Sequence, residues 1–220
     1  MKVILLILFS LNLQAKTIKV MIIDSGVSLS HTELLIHAKD PKNEYDYDDP
    51  IGHGTHIAGL VVKNTCLKIE LISCRYINSS TNASISVSNS CLKRALEEKI
   101  DYINYSSGGQ DFNLEEYNLF KKIISSGIKV IVSAGNERVD LSKNCNYYPA
   151  CYRIPGMTIV GSKNNGKKAY YSNYGLKEMK WEEGTDIIST LPQGQWGKMS
   201  GTSQATAIRT NRLLRKECQK

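Results

Sequence analysis

The 220 residues contain no basic run and no stripe of aromatics interleaved with Lys or Arg. The net charge of +7 comes from 28 Lys and Arg scattered among 21 Asp and Glu. It reads as a solubility feature and argues against a nucleic-acid-binding surface. No Cys-x-x-Cys pair and no His-rich cluster appears, which argues against a zinc site. The apolar run in residues 1–15 (MKVILLILFSLNLQA) is too short to span a bilayer as a stable helix. No internal repeat or low-complexity linker divides the chain, so a single domain is expected over residues 16–220.

What is present is the composition of a soluble globular protein, 41% hydrophobic and 22% charged. Residues 1–15 begin with a Lys, continue as an apolar run and end at the small residue Ala15. That pattern predicts a signal peptide cut after Ala15, with Leu13 an imperfect third residue before the cut; a buried first strand is the alternative. Export to the periplasm or beyond the cell fits the six cysteines, an even number that suggests disulfides. Sequence does not choose among the pairings. Cys145–Cys151 is the simplest, because it closes a small loop.

Short apolar, β-branched runs alternate with helical patterns along the chain. Strands are expected at 17–23, 68–76, 101–106, 129–134, 157–161 and 186–190, and helices at 53–64, 87–99, 114–126 and from about 202 to 215. Gly127 is a natural helix stop. Residues 40–52 (DPKNEYDYDDPIG) read as an acidic surface loop, and 78–90 as a Ser/Asn-rich loop that caps the next helix. Such alternation predicts an α/β fold, a three-layer αβα sandwich around a mainly parallel sheet. Ligands in such folds lie beyond the carboxyl ends of the strands. Four short polar motifs stand at strand ends or helix starts: around Asp24, Ser106, Asn136 and Ser203. They should therefore share one edge of the molecule.

Ser203 precedes a helical pattern, where free N–H groups and the helix dipole favour developing negative charge. Gly-Thr-Ser alone is more often just a turn and an N-cap. The serine needs a base, an orienter and an oxyanion donor. His53, flanked by Gly52 and Gly54, has room to face a substrate as a base. A purely structural histidine is the alternative; zinc binding with His56 lacks the spacing and the glutamate of the helical zinc motif. Asp24 closes a buried apolar strand, where a carboxylate is costly unless bonded; a turn-forming role is the alternative.

Five motifs then stand in order: Asp24-Ser25-Gly26, His53-Gly54-Thr55-His56-Ile57-Ala58-Gly59, Ile103-Asn104-Tyr105-Ser106-Ser107-Gly108-Gly109, Ala134-Gly135-Asn136-Glu137 and Gly201-Thr202-Ser203. Together they resemble the subtilisin-type serine proteases, from about Ile18 to Leu214. The resemblance implies an exported endopeptidase with Ser203 as nucleophile, His53 as general base and acid, and Asp24 as orienter. It implies Asn136 as the side-chain oxyanion donor. Ser106, Ser107, Gly108, Ala134 and Gly135 are implied to line the bound peptide, with Ser106 to Gly108 pairing with its backbone. Polypeptides are the expected partners, and a monomer without a membrane anchor the expected state. A catalytically inactive, peptide-binding relative and a hydrolase of non-peptide esters or amides are the competing readings.

The chain departs from the family in several places. Gln204 follows the serine where Met is usual, and Thr206-Ala207-Ile208 lacks the usual proline. The stretch after Gly59 reaches the next strand without room for the common calcium loop, so no cofactor is expected, with calcium kept as the alternative. Glu33 remains as an acidic residue read as a solvated surface charge. Cross-links are expected to brace the fold in place of calcium. The resemblance therefore implies a short form, without the leading folding segment or the closing strand and helix of larger relatives. Tyr147 is expected to approach the first specificity pocket and restrict it to small or medium side chains. Glu137 is expected to favour a basic residue at its rim.

Overall fold

Ile18–Asp24, strand β1, carries the centre of the fold. Both faces of this β-branched run are buried, as a parallel strand with helices on both sides requires. The structure, a computed structural model, describes residues 17–39, 47–77 and 84–218. The apolar run read as a signal peptide lies outside the described residues.

After β1 come a one-turn helix α1 (Thr32–Leu35), α2 (His53–Val62), β2 (Ile69–Arg75), α3 (Ile85–Glu97), β3 (Tyr102–Tyr105), α4 (Leu114–Ser125) and β4 (Lys129–Ser133). Then follow β5 (Thr158–Asn164), β6 (Lys167–Lys168), β7 (Lys180–Glu183), β8 (Ile187–Thr190), β9 (Trp196–Met199) and α5 (Thr202–Glu217). The main sheet runs β2-β1-β3-β4-β5-β6, with β7 also on β5. All its pairings are parallel except the β5–β6 hairpin. Strands β8 and β9 form a separate antiparallel hairpin.

Alternation along β1 sorts the core into two layers. Val20 and Ile22 face Ile57 and Ala58 of α2 and Ala205, Ala207 and Leu214 of α5. Met21 and Ile23 face Leu92 and Ala95 of α3 and Phe120 and Ile123 of α4. The three-layer αβα arrangement expected from the alternating pattern is therefore present.

Local chemistry sets the ends of these elements. Asn113 caps α4 by accepting from the Glu116 N–H at 2.8 Å, and Gly127 follows the helix at φ +90°. Helix α5 is rich in buried threonine, which is satisfied internally: Thr206 donates to the Thr202 carbonyl at 2.7 Å, and Thr210 to that of Thr206 at 3.1 Å. Thr210 also donates to Asn104 Oδ1 at 2.8 Å, joining α5 to β3. Without a proline, the helix runs unbroken from Thr202 to Glu217.

The expected bounds shift by a few residues, and β6, β7 and β9 were not expected. Those strands are short and all three contain lysine, so composition hides them until partners exist. The cysteines pair as Cys66–Cys218, Cys74–Cys91 and Cys145–Cys151, the last as expected from loop size. Among the described residues no helix is long and apolar enough to cross a membrane.

Candidate active site

Parallel strands end on one edge, and Asp24, Ser106 and Ala134 follow there from β1, β3 and β4. The N-termini of α2 and α5 bring His53 and Ser203 to the same edge. Asp24 is almost completely buried, and its Oδ1 lies 2.7 Å from His53 Nδ1. The same oxygen accepts the Ser25 N–H at 2.8 Å. Bonding Nδ1–H to the carboxylate leaves Nε2 as the unprotonated nitrogen, the tautomer a general base requires. Burial acts to lower the His53 pKa, but the charge and hydrogen bond of Asp24, with Asp49 behind, outweigh it and raise the pKa above the ordinary imidazole value.

Asp49, within the stretch expected to be surface loop, is 4% exposed and builds this half of the site. Its Oδ1 accepts from Ser25 Oγ and the Ile51 and Gly52 N–H groups, and its Oδ2 from both the N–H and the hydroxyl of Thr55. One carboxylate thus ties the end of β1 to the unsatisfied donors that open α2. Ser25 completes the link by accepting the Gly54 N–H at 2.9 Å. Gly54 does not serve to free space around the imidazole: a Cβ there would run into the Gly26 carbonyl. His56 is not a metal partner of His53. It is fully buried, and its Nε2 lies 3.0 Å from the Ile187 carbonyl and 3.2 Å from that of Gly197, which anchors α2 to the β8–β9 hairpin. Burial keeps its pKa below the ordinary value despite those carbonyls.

Ser203 is 8% exposed on the first turn of α5. Its hydroxyl donates to the Ser106 carbonyl at 2.8 Å, and the Ser106 hydroxyl donates back to the Ser203 carbonyl at 3.2 Å. Asn104 Nδ2 holds Ser106 Oγ at 2.7 Å. Among the described residues no hydrogen bond joins Ser203 to His53.

Asn136 Oδ1 accepts the Thr202 N–H at 2.9 Å, so its Nδ2 is left to face outward. A Cβ on Gly201 would meet Gln204 Oε1 at 3.0 Å, Asn136 Nδ2 at 3.5 Å and the Ser203 nitrogen at 3.7 Å, so both donors lie close to Gly201, with the Gln204 amide oxygen beside them. That is the composition of an oxyanion site at a helix N-terminus. Gln204 is buried beside it, and its Nε2 has no hydrogen-bond partner.

The Asn136 loop is held by Asn173, which the sequence did not single out. Asn173 Nδ2 donates to the Ala134 carbonyl at 2.9 Å and to Glu137 Oε2 at 2.6 Å. Its Oδ1 accepts the Glu137 and Val139 N–H groups. Gly135, at φ +96°, leaves no room for a Cβ because that side-chain amide and Glu137 fill the space.

Gly108 packs just as closely: a Cβ there would lie 2.5 Å from the Tyr148 carbonyl and 2.6 Å from the Tyr147 ring. Gly109 by contrast is open on its Cβ side, and its backbone exchanges bonds of 2.9 and 2.7 Å with Tyr148. The Tyr147 ring lies against both Gly108 and Gly135, between the two segments expected to line a peptide. Burial pushes its hydroxyl up to about 12. Glu33 is half-exposed in α1, 3.9 Å from His31 Nδ1. Among the described residues no group of three or more His, Cys, Asp or Glu is placed to hold a metal.

Comparison with known proteins places this geometry. Residues 15–213 match the profile of the subtilase family, Peptidase S8. The chain is 31% identical over 211 residues to subtilisin amylosacchariticus of Bacillus subtilis subsp. amylosacchariticus, covering 90% of this chain and 55% of that protein. It is equally similar to a subtilisin of Bacillus pumilus, there covering 76% of the relative. The chain thus spans about half the length of several of the curated relatives it matches. Among solved structures, a cold-adapted subtilisin-like serine proteinase superposes with a TM-score of 0.79 at 25% identity, covering 92% of this chain and 76% of that one. A match over nearly the whole chain, with Asp24, His53 and Ser203 opening onto one edge of the same sheet, makes this protein a member of the subtilase family.

Proposed function

We propose that this chain is a serine endopeptidase that cleaves extended polypeptides. The observation that carries the reading is the 2.7 Å Asp24–His53 bond on the edge where Ser203 opens a helix beside Asn136. Ser203 Oγ attacks the scissile carbonyl while His53 Nε2 takes its proton. The imidazolium then forms against Asp24, whose charge stabilises it. The carbonyl oxygen becomes negative in the space bordered by Asn136 Nδ2 and the Ser203 N–H, which stabilise it as it forms. His53 returns the proton to the leaving amine, and water repeats the sequence on the acyl-enzyme. For the first step, the Ser203 hydroxyl must exchange its acceptor from the Ser106 carbonyl to His53.

Substrate lies along Ser106, Ser107 and Gly108 on one side and Ala134 and Gly135 on the other. The Tyr147 ring between Gly108 and Gly135 limits the nearest side chain to small or medium size. Glu137 stands exposed at the rim, one carboxylate oxygen bonded to Asn173, and favours a basic neighbour. The working unit is a single domain over residues 16–220, exported to the periplasm or beyond the cell. Its three disulfides fit an oxidising compartment and stand in for bound calcium as bracing.

The Ser203–Ser106 bond favours a second reading, a peptide-binding protein without catalysis. A fluorophosphonate probe separates the two. Labelling at Ser203 in folded protein, absent in Ser203→Ala, is expected, with kcat for peptide hydrolysis lowered about 10⁶-fold by that substitution, a magnitude known from subtilisin itself. Folded protein that cleaves no peptide and takes no label at Ser203 rejects the enzyme.

A further inference from the structure

Gln204 follows the nucleophile in the chain, and nothing in the proposed chemistry uses it. It lies on the first turn of α5 and is 1% exposed. Among the described residues neither end of its side-chain amide makes a hydrogen bond, and Nε2 is buried without an acceptor. A buried donor left unpaired is costly, and folded proteins rarely keep one without a use for it.

Three polar atoms converge at this place. From the point that a Cβ on Gly201 would take, the nearest atoms outside the adjoining residues are Gln204 Oε1 at 3.0 Å, Asn136 Nδ2 at 3.5 Å and the Ser203 nitrogen at 3.7 Å. Two of the three are the donors assigned above to the carbonyl oxygen under attack. The third is one end of the Gln204 amide. As it stands, the amide turns its oxygen toward that space and its NH2 group toward a place where nothing accepts. Half a turn about the last side-chain bond exchanges the two ends, keeps the outline of the group and follows a soft torsion. That turn breaks no hydrogen bond, because neither end makes one. It brings the NH2 group beside the two donors, where negative charge develops. An N–H bonded to an ionised oxygen is roughly twice as strong as one bonded to a neutral oxygen. The turned amide is therefore held most firmly in the transition state.

We propose that Gln204 is a third donor to the oxyanion, a catalytic residue beside Asn136 and the Ser203 N–H. The proposal rests on the reading of this chain as a serine endopeptidase. The methionine usual at this position has no N–H to offer, so the role belongs to a place where this chain departs from the family pattern.

The test compares Gln204→Met and Gln204→Glu with the parent on one extended peptide amide. Gln204→Met keeps the length of the side chain and removes the donor. Gln204→Glu keeps its outline and, when ionised, offers only acceptors; it carries the test if Gln204→Met does not fold. Each variant is also made with Ser203→Ala to measure binding of the same peptide. The trifluoromethyl ketone of that peptide reports the oxyanion directly. Ser203 Oγ adds to its carbonyl carbon, the hydroxyl proton passes to His53, and the former carbonyl oxygen is left as the anion. Gln204→Met is expected to lower kcat about ten- to a hundredfold and to weaken the ketone by a similar factor. Affinity for the peptide in the Ser203→Ala background should stay within about twofold. Gln204→Glu should fall further at neutral pH, because a carboxylate repels the developing charge. A folded variant of either kind whose kcat and ketone affinity lie within about threefold of a cleaving parent overturns the proposal and leaves the enzyme intact. A loss of kcat matched by an equal loss of peptide affinity in Ser203→Ala also overturns it, since such a residue shapes the groove and not the transition state. A parent that cleaves no peptide and takes no fluorophosphonate label at Ser203 rejects the enzyme, and the donor with it.

Discussion

Asp24 and His53 meet through a 2.7 Å bond and are backed by Asp49, which accepts from four residues of the surrounding loop and helix. Across the site, the Ser203 hydroxyl is bonded to the Ser106 carbonyl, and Asn136 accepts the Thr202 N–H through its Oδ1. The histidine half is closely bonded through Asp24 Oδ1 and Asp49, although among the described residues the buried Asp24 Oδ2 has no hydrogen-bond partner, while under the proposed function the serine half presents donors for a substrate. The difference follows from what each half must do. A buried carboxylate needs its donors at all times, because an unsatisfied charge inside a protein is costly. Oxyanion donors must instead be left without a protein acceptor, so that developing charge finds them already oriented.

Perturbing each half in turn sharpens that contrast. Asp24→Asn should have the largest effect, a loss of about 10⁴ in kcat, because an amide at this position favours the wrong imidazole tautomer. A kcat within tenfold of the parent would remove Asp24 from the mechanism. Asn136→Ala should cost about 10²–10³ in kcat with little change in KM, a magnitude belonging to subtilisin's own oxyanion asparagine. A rise in KM at constant kcat would recast Asn136 as a ground-state binding residue.

The supporting residues come next. Asp49→Ala strands donors at the opening of α2 and should lower stability by about 3 kcal/mol, read by denaturant unfolding. Asn173→Ala frees the 134–139 loop and should lower stability by about 2 kcal/mol, with a further loss in kcat. Equal stability in both variants and the parent would dissolve the two-half description.

The smallest effect concerns pH. Folded His53 holds its proton more tightly than a free imidazole, with Asp24 and Asp49 both contributing. The neutral base therefore appears only as pH rises past the ordinary value of about 6.5. The acid limb of kcat/KM should lie above that value and move down in Asp49→Ala. A limb at or below 6.5 in the parent would contradict the charge arrangement around the imidazole.

Helices α2 and α5 add a mechanical link between the halves. Their N-termini carry His53 and Ser203, and beyond their other ends Cys66 and Cys218 are joined. The crosslink closes a span of 152 residues, which restricts the unfolded chain far more than the short Cys145–Cys151 loop does. Spacing identified the short pair. The long one depended on two helix ends meeting, which no local pattern records.

The same division runs through the fold and the site. Period and composition determined the alternating strands and helices, because β1, β3 and β4 are apolar runs that only a sheet covered on both faces can bury. Parallel strands then oblige their ends to share an edge, so Asp24, Ser106, Asn136 and Ser203 were legible as a set, which His53 joined through the order of the motifs. Their roles came from motif resemblance, since an aspartate or a serine at a turn has the same local signature whether or not it reacts. Asp49 was hidden in an acidic stretch because burial depends on what lands over a loop, not on its composition. Asn173 was hidden because its partners lie 34 to 39 residues away in the chain. Tertiary structure alone decided which carboxylates are buried, which hydroxyl faces which acceptor and which glycines are pressed against neighbours. Those are contacts between distant segments, and their energies exist only once the sheet has brought the segments together.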